Sequence, residues 1–143
     1  MQSPYLNSVS TEILRLCSPA PAIIPRVLVK DYEFNGVKAK KGDLLQISLQ
    51  PNFMREEFFE NPEEFKPSRH EDQKTANNVN VFTPFHSGKR GCIGKKLGEI
   101  MVKLLVVELI KRFEITKPEG YVRNLIIMPA ITVESCKMRV RLR

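Results

Sequence analysis

The chain has 143 residues, 42% of them hydrophobic and 27% charged, which is enough apolar material for one core but not for several domains. It contains no apolar run of 18 residues, so we expect no membrane span, and the opening at Met1 predicts no targeting signal. Three cysteines without a Cys-x-x-Cys pair argue against a disulfide framework and a structural zinc site. The net charge of +7 raises the question of nucleic-acid binding. Because the basic residues are scattered and lack interleaved aromatic side chains, we expect a solvated basic surface and no nucleic acid.

The first predicted element is a helix. Ser3 is a typical N-cap, Pro4 suits the first helical position, and an apolar stripe continues until the Ser-Pro pair at 18 and 19. Glu12 and Arg15 fall late in this helix, at the i and i+3 spacing that places them on one face. Alone, such a pair contributes only about 0.2–0.5 kcal/mol and is common on surface helices.

A small antiparallel sheet is predicted next. Strand-like runs cover 26–29, 32–37 and 44–49, and Asn35-Gly36 within the second run is typical of a type I′ hairpin turn. The strict alternation over 137–143 predicts a further strand at the end of the chain, with one basic face.

Helical spacing returns late in the chain. The stretch 51–84 predicts short helical fragments at most, whereas apolar residues over 93–113 recur at the spacing of a long helix. Glu99, Lys103 and Lys111 are expected on the solvated side of that helix. Helices together with small antiparallel sheets give an α+β fold class.

The most informative feature is the glycine-punctuated loop 85–94, which leads into the long helix. A cysteine must be a thiolate to bind a metal, and the positive end of a helix stabilises that charge. The amides of residues 93–95 fall where they can point at the sulfur of Cys92, and the glycines permit close approach to a flat macrocycle. Arg90 is placed to meet a carboxylate such as a haem propionate. We therefore interpret Cys92 as a haem-iron ligand, although lone cysteines are more often small buried hydrophobes.

At Phe85, Gly88, Arg90, Cys92 and Gly94 the loop matches every fixed position of the pattern Phe-x-x-Gly-x-Arg-x-Cys-x-Gly. In this it resembles the cytochrome P-450 family of haem-thiolate monooxygenases. The resemblance implies haem b (iron protoporphyrin IX), with Cys92 as iron ligand and catalytic group and Arg90 as a propionate partner. The cofactor-binding residues would be Phe85, Gly88, Arg90, Ile93 and Gly94. Arg26, at the start of a strand that passes beside the haem in the family, would be a second propionate partner.

A second motif precedes the loop. Residues 62–69 resemble the family segment whose arginine closes a buried network with the helical Glu-x-x-Arg pair. Glu12, Arg15 and Arg69 would then form one structural ion network that fixes loops lacking regular hydrogen bonds. The alternative interpretation is three unrelated surface charges. His70 departs from the family, which usually has an aromatic residue there.

The resemblance also implies partners. Lys89, Lys95 and Lys96 surround the loop, and cations at a helix N-terminus are unfavourable for the helix itself, so this face is expected to dock an acidic flavin or iron-sulfur electron donor. Molecular oxygen and a small apolar compound would be the substrates. Residues 21–24 and 128–131 resemble segments that line the substrate cavity, although core packing explains their apolarity equally well.

The resemblance covers the whole chain but only the C-terminal part of the family fold, so residues 1–143 are expected to form one partial domain. Pro84-Phe85 and Arg90 resemble the microsomal eukaryotic type, which implies a parent protein on the cytosolic face of the endoplasmic reticulum membrane. The parent would insert oxygen into an apolar substrate, and this chain alone is expected to be inactive. Two alternatives remain: a non-catalytic remnant or truncated product, and a small basic binding module.

Overall fold

The computed structural model describes residues 3–20, 25–71, 81–121, 125–128, 130–133 and 136–143. Its first element is helix α1, Pro4–Leu16, which confirms the predicted start because the Ser3 hydroxyl accepts from the Leu6 N–H and Pro4 lies at the first helical position. The helix ends at Cys17, whose N–H donates to the Ile13 carbonyl at 2.8 Å. α1 therefore presents Glu12 and Arg15 in its last turns.

The predicted small sheet is two separate antiparallel pairs. β1 (Arg26–Val27) pairs with β4 (Leu44–Leu45), and β2 (Tyr32–Phe34) pairs with β3 (Val37–Ala39). The hairpin turn is as predicted, since Asn35 has φ 49° and Gly36 has φ 79°. β4 ends sooner than the apolar run 44–49 predicts.

The segment after β4 is largely irregular, as predicted. It contains a short helix α2, Gln50–Phe53, and a 3₁₀ turn, Pro67–His70. Among the described residues, the buried hydrophobic side chains are Leu49, Phe53 and Phe59, and the ring of Phe82 lies edge-on to Phe53 at a centroid distance of 4.9 Å. This small aromatic cluster is joined to the last turns of α1 by a hydrogen bond from Arg15 to the Phe53 carbonyl.

The long helix α3 covers Lys95–Arg112. It continues into β5, Phe113–Thr116, which pairs with the predicted final strand, β8, Arg139–Leu142. Between them lies the antiparallel hairpin of β6 (Leu125–Met128) and β7 (Ala130–Val133), which contains part of the segment 128–131 that was expected to line the substrate cavity. The other such segment, 21–24, lies outside the described residues. The sequence did not predict β5. In the described parts of the chain, no helix is long and apolar enough to cross a bilayer.

The orientation of α3 differs from the expectation. Glu99 and Lys103 are half-buried on the side that meets α1, and Lys103 Nζ donates to Asn7 Oδ1 at 2.6 Å. Only Lys111 of the three expected solvated residues is exposed. Several apolar side chains of α3, including Leu97 and Leu105, are instead exposed. The prediction was wrong because α3 carries apolar residues around most of its circumference, so spacing alone did not identify the packed face.

Candidate functional site

A buried ion pair joins Glu12 and Arg15 of α1. Arg15 donates from Nε to Oε2 of Glu12 and from Nη2 to Oε1, both at 2.9 Å. Both side chains are 0% exposed. This is the bidentate geometry that makes an arginine–carboxylate pair both strong and specific in orientation. The i, i+3 spacing on α1 brings the two groups together, and burial distinguishes them from an ordinary surface pair.

Arg15 also binds the irregular segment. Its Nη1 donates to the Phe53 carbonyl at 2.8 Å, and its Nη2 reaches the Glu64 carbonyl at 3.3 Å. The guanidinium carbon lies 5.2 Å from the centroid of the Phe59 ring, which adds a cation–π contact. One side chain of α1 thus supplies hydrogen bonds to the last residue of α2 and to the irregular backbone at Glu64.

Arg69 approaches the same carboxylate from the 3₁₀ turn. Its Nε donates to Oε1 of Glu12 at 3.0 Å, and its Nη1 donates to the Glu60 carbonyl at 2.8 Å. The backbone N–H of Lys66 adds a further bond to Oε1 at 3.0 Å. The structure therefore brings Glu12, Arg15 and Arg69 into one contact network, in place of three unrelated surface charges.

The electrostatics of Glu12 follow from this geometry. Burial would raise the pKa of its carboxyl, but hydrogen bonds from Arg15, the Lys66 N–H, His70 and Arg69 outweigh burial and lower the pKa to about 2. The carboxylate is thus held ionised at neutral pH, with donors around both oxygens.

His70 belongs to this network, which sequence reasoning did not predict. Its Nε2 lies 2.7 Å from Oε2 of Glu12, and its side chain is only 7% exposed. Burial lowers the pKa of His70; the hydrogen bond and negative charge of Glu12 partly offset this, and the charges of Arg15 and Arg69 lower it further. The available signal was its position directly after Arg69, the arginine expected to join the network.

Two backbone hydrogen bonds shape the cysteine loop. The His86 N–H donates to the Thr83 carbonyl at 2.8 Å, and the Cys92 N–H donates to the Phe85 carbonyl at 2.9 Å. A 3₁₀ turn, Gly88–Arg90, fills the loop between them. Gly88 has φ 72°, a conformation that favours glycine. Cys92 is a free, exposed cysteine at the end of this frame.

The surface around Cys92 fits a flat cofactor that needs one protein ligand. Arg90 and Ile93 are both exposed beside it, and Phe85 is half-buried at the base of the loop. A Cβ on Gly91 would lie 3.3 Å from the Gly88 carbonyl oxygen, so this position favours glycine. Within the described residues, no three His, Cys, Asp or Glu side chains cluster in a way that would hold a bare metal ion. A lone thiol with an open face suits a macrocycle that brings its own ring ligands.

Not every expected contact is present. The Lys95 N–H was expected to point at the sulfur of Cys92. It instead donates to the Cys92 carbonyl at 3.4 Å, in the turn that precedes α3. Arg26 lies exposed at the start of β1 and donates to the Pro25 carbonyl, and its hydrogen bonds within the described residues do not reach the loop. Lys89, Lys95 and Lys96 are exposed on the loop and the first turn of α3, and Lys95 Nζ lies 5.8 Å from the centroid of the Phe85 ring.

Comparison with known sequences gives one consistent result. The sequence model of the family described as cytochrome P-450 matches residues 1–139. Cytochrome P-450 3A18 of Rattus norvegicus is 37% identical over 116 residues, which are 80% of this chain and 23% of that protein. Beta-amyrin 28-monooxygenase of Solanum lycopersicum is 36% identical over 113 residues, which are 79% of this chain and 23% of that protein. The chain thus spans less than a quarter of the length of these curated relatives.

Solved structures agree with the sequences. A cyanobacterial CYP120A1 with bound retinoic acid superposes with a TM-score of 0.88 at 27% identity, over 98% of this chain and 33% of that one. The heme domain of cytochrome P-450DA superposes with a TM-score of 0.85 at 23% identity, over 96% of this chain and 31% of that one. The predicted α+β fold, as a portion of this larger fold, is confirmed.

Proposed function

The chain belongs to the cytochrome P-450 family, whose members hold a haem cofactor, and we propose that it is the haem-binding C-terminal part of a haem-thiolate monooxygenase. In this proposal residues 1–143 form one partial domain of a longer parent protein, and the haem is haem b. Bound through a thiolate, such a haem activates molecular oxygen reductively and supports insertion of one oxygen atom into an apolar substrate.

The observation that carries the proposal is the position of Cys92. It is exposed at the end of a loop closed by the 2.9 Å bond from its own N–H to the Phe85 carbonyl, and α3 begins directly behind it. This frame leaves the thiol exposed, three residues before the first residue of α3.

The remaining loop residues have separate tasks in the proposal. Arg90 would bind a propionate through its guanidinium, and Arg26 is a second candidate for that role. The edge of the macrocycle would be contacted by Phe85 and Ile93, while Gly88 and Gly94 would leave space for its close approach. The network of Glu12, Arg15 and Arg69 holds the backbone carbonyls of Phe53 and Glu60, and therefore acts on the cofactor only through structure.

We assign the partners by charge. Lys89, Lys95 and Lys96 form an exposed basic face beside the thiol, which supports docking of an acidic flavin or iron-sulfur electron donor. The substrates are molecular oxygen and a small apolar compound. The parent is placed at the cytosolic face of the endoplasmic reticulum membrane on the strength of the microsomal pattern at Pro84-Phe85 and Arg90.

Two alternatives lead to different measurements. The first alternative is a non-catalytic remnant or truncated product. It would hold haem without turnover or hold none. A small basic binding module would bind nucleic acid in a salt-dependent manner and ignore haem.

The decisive experiment uses the full reading frame that encodes these residues. With haem bound, the reduced carbonyl complex of the wild type should show the red-shifted band of a thiolate ligand. Cys92→His should abolish that band and the monooxygenation while keeping some haem, because a neutral imidazole does not push charge toward the iron. Cys136→Ser, at another exposed cysteine, is the matched control and should leave the band intact. A band that survives Cys92→His would rule out Cys92 as the ligand.

A further inference from the structure

His70 is the unexplained member of the buried network. Its Nε2 lies 2.7 Å from Oε2 of Glu12, and the same carboxylate receives bonds from Arg15, Arg69 and the Lys66 N–H. A carboxylate only accepts hydrogen bonds, so Nε2 of His70 must carry a proton and donate. Within the described residues no hydrogen bond reaches Nδ1, and the protonation of Nδ1 therefore decides the charge of the ring.

The charges around the ring make protonation of His70 Nδ1 energetically unfavourable. From α1, His70 is faced by Glu12 and Arg15, and from its own 3₁₀ turn by Arg69. With a neutral ring the buried groups carry one negative and two positive charges. A proton on Nδ1 adds a third positive charge where water is largely excluded, since the side chain is 7% exposed. The fourth neighbour, Phe82, lies 6.1 Å away between ring centroids and carries no charge.

We propose that His70 is a proton-sensitive positioning residue, which closes the Glu12 network when neutral and loosens that network and the packing of Phe82 beside it when protonated. A phenylalanine at this position would have no titrating group, so the response depends on the histidine side chain.

The contacts continue from His70 to the loop. Phe82 packs against His70, Phe53 and Phe59, with centroid distances of 6.1, 4.9 and 6.2 Å. Three residues later, the Phe85 carbonyl accepts the Cys92 N–H. A shift of the Phe82 ring when the network opens is therefore passed through the backbone of 82–85 to the hydrogen bond that holds Cys92.

The sign of the pH effect follows from the direction of the pKa. The pKa of folded His70 lies below its ordinary value of 6.5, so the unfolded chain takes up the proton first as pH falls. The stabilisation from neutral His70 is complete above pH 6.5 and is lost as pH falls from 6.5 toward the folded pKa. One linked proton changes the opening equilibrium by at most about tenfold per pH unit.

The test measures hydrogen-exchange protection of the Cys92 amide between pH 8 and pH 5, corrected for intrinsic exchange, in the full reading frame. The wild type should lose protection below pH 6.5 by up to about tenfold per pH unit. His70→Gln keeps a donor without titrating and should give a flat profile, while His70→Phe should be flat with lower protection at pH 8. His86→Asn, at the second of the chain's two histidines, is the matched control and should retain the wild-type slope.

A wild-type slope that persists in His70→Gln would overturn the proposal. If His70→Gln does not fold, a chemical-shift titration of the His70 ring in the wild type decides instead, since a midpoint at or above 6.5 contradicts it. Neither measurement requires haem or turnover, so the result is independent of the proposed oxygenase activity.

Discussion

Arg69 Nε lies 3.0 Å from Oε1 of Glu12, although 57 residues of sequence separate the two. The arginine side chain is 6% exposed and the glutamate 0%. Through this contact, the last turns of α1 and the 3₁₀ turn before the cysteine loop are held by one carboxylate. Removing either group would leave a buried partner charge uncompensated.

We therefore expect Arg69→Ala and Glu12→Ala each to lower the free energy of unfolding by about 3–5 kcal/mol and to reduce haem retention, not merely turnover. Denaturant unfolding and the haem-to-protein ratio measure the two effects. Arg55→Ala is the matched control, because the Arg55–Glu57 pair is 2.7 Å apart but half exposed, and it should cost at most about 1 kcal/mol. Near-wild-type stability in both network variants would contradict the structural role.

The glycines of the cysteine loop and of α3 should differ in their tolerance of a methyl group. In Gly91→Ala the new Cβ would lie 3.3 Å from the Gly88 carbonyl, so we expect a loss of about 1–3 kcal/mol and weaker haem retention. In Gly98→Ala the Cβ meets nothing within 4 Å inside a helix, so we expect a gain of about 1 kcal/mol. Thermal unfolding of the two variants checks both signs. Equal tolerance at the two positions would show that the loop can adjust.

The basic face of Lys89, Lys95 and Lys96 should affect the rate at which the electron donor reduces the protein. Lys95→Glu with Lys96→Glu should slow reduction by the donor, most clearly at low ionic strength, because charge complementarity mainly raises the encounter rate. Turnover driven by peroxide, which bypasses the donor, should change little. Lys117→Glu, another exposed lysine, serves as the control. Equal losses in both assays would place the two lysines in the structure of the cofactor site instead.

These 143 residues expressed alone should not be an active enzyme. Leu97 and Leu105 on α3 are 64% and 60% exposed, and further apolar side chains of this helix are also exposed. We expect poor solubility, substoichiometric haem and no hydroxylation even with a competent reductase. Leu97→Gln with Leu105→Gln should improve solubility without restoring turnover. A monomeric, cooperatively unfolding chain that holds haem and oxidises an apolar substrate would disprove this.

Local chemistry was predictable from the sequence, and long-range packing was predictable only in part. The Ser3 cap and the Asn35-Gly36 turn depend on neighbouring residues, and both are present. Arg69 was expected as a partner of Glu12 only through a family resemblance, since spacing within α1 says nothing about a turn more than fifty residues away. His70 was missed because its role depends on which carboxylate it meets, and β5 was missed because its strand character depends on β8.

The carbonyl of Glu64 restricts insertions and deletions in the segment that precedes it. Both Arg15 and Arg69 reach it through Nη2, at 3.3 and 3.4 Å, while Arg15 also binds the Phe53 carbonyl. Irregular surface segments usually accept inserted or deleted residues at little cost. Here one added residue between 54 and 64 would move that carbonyl away from at least one guanidinium. Natural variation in length should therefore be found outside this interval, even though it contains little regular secondary structure.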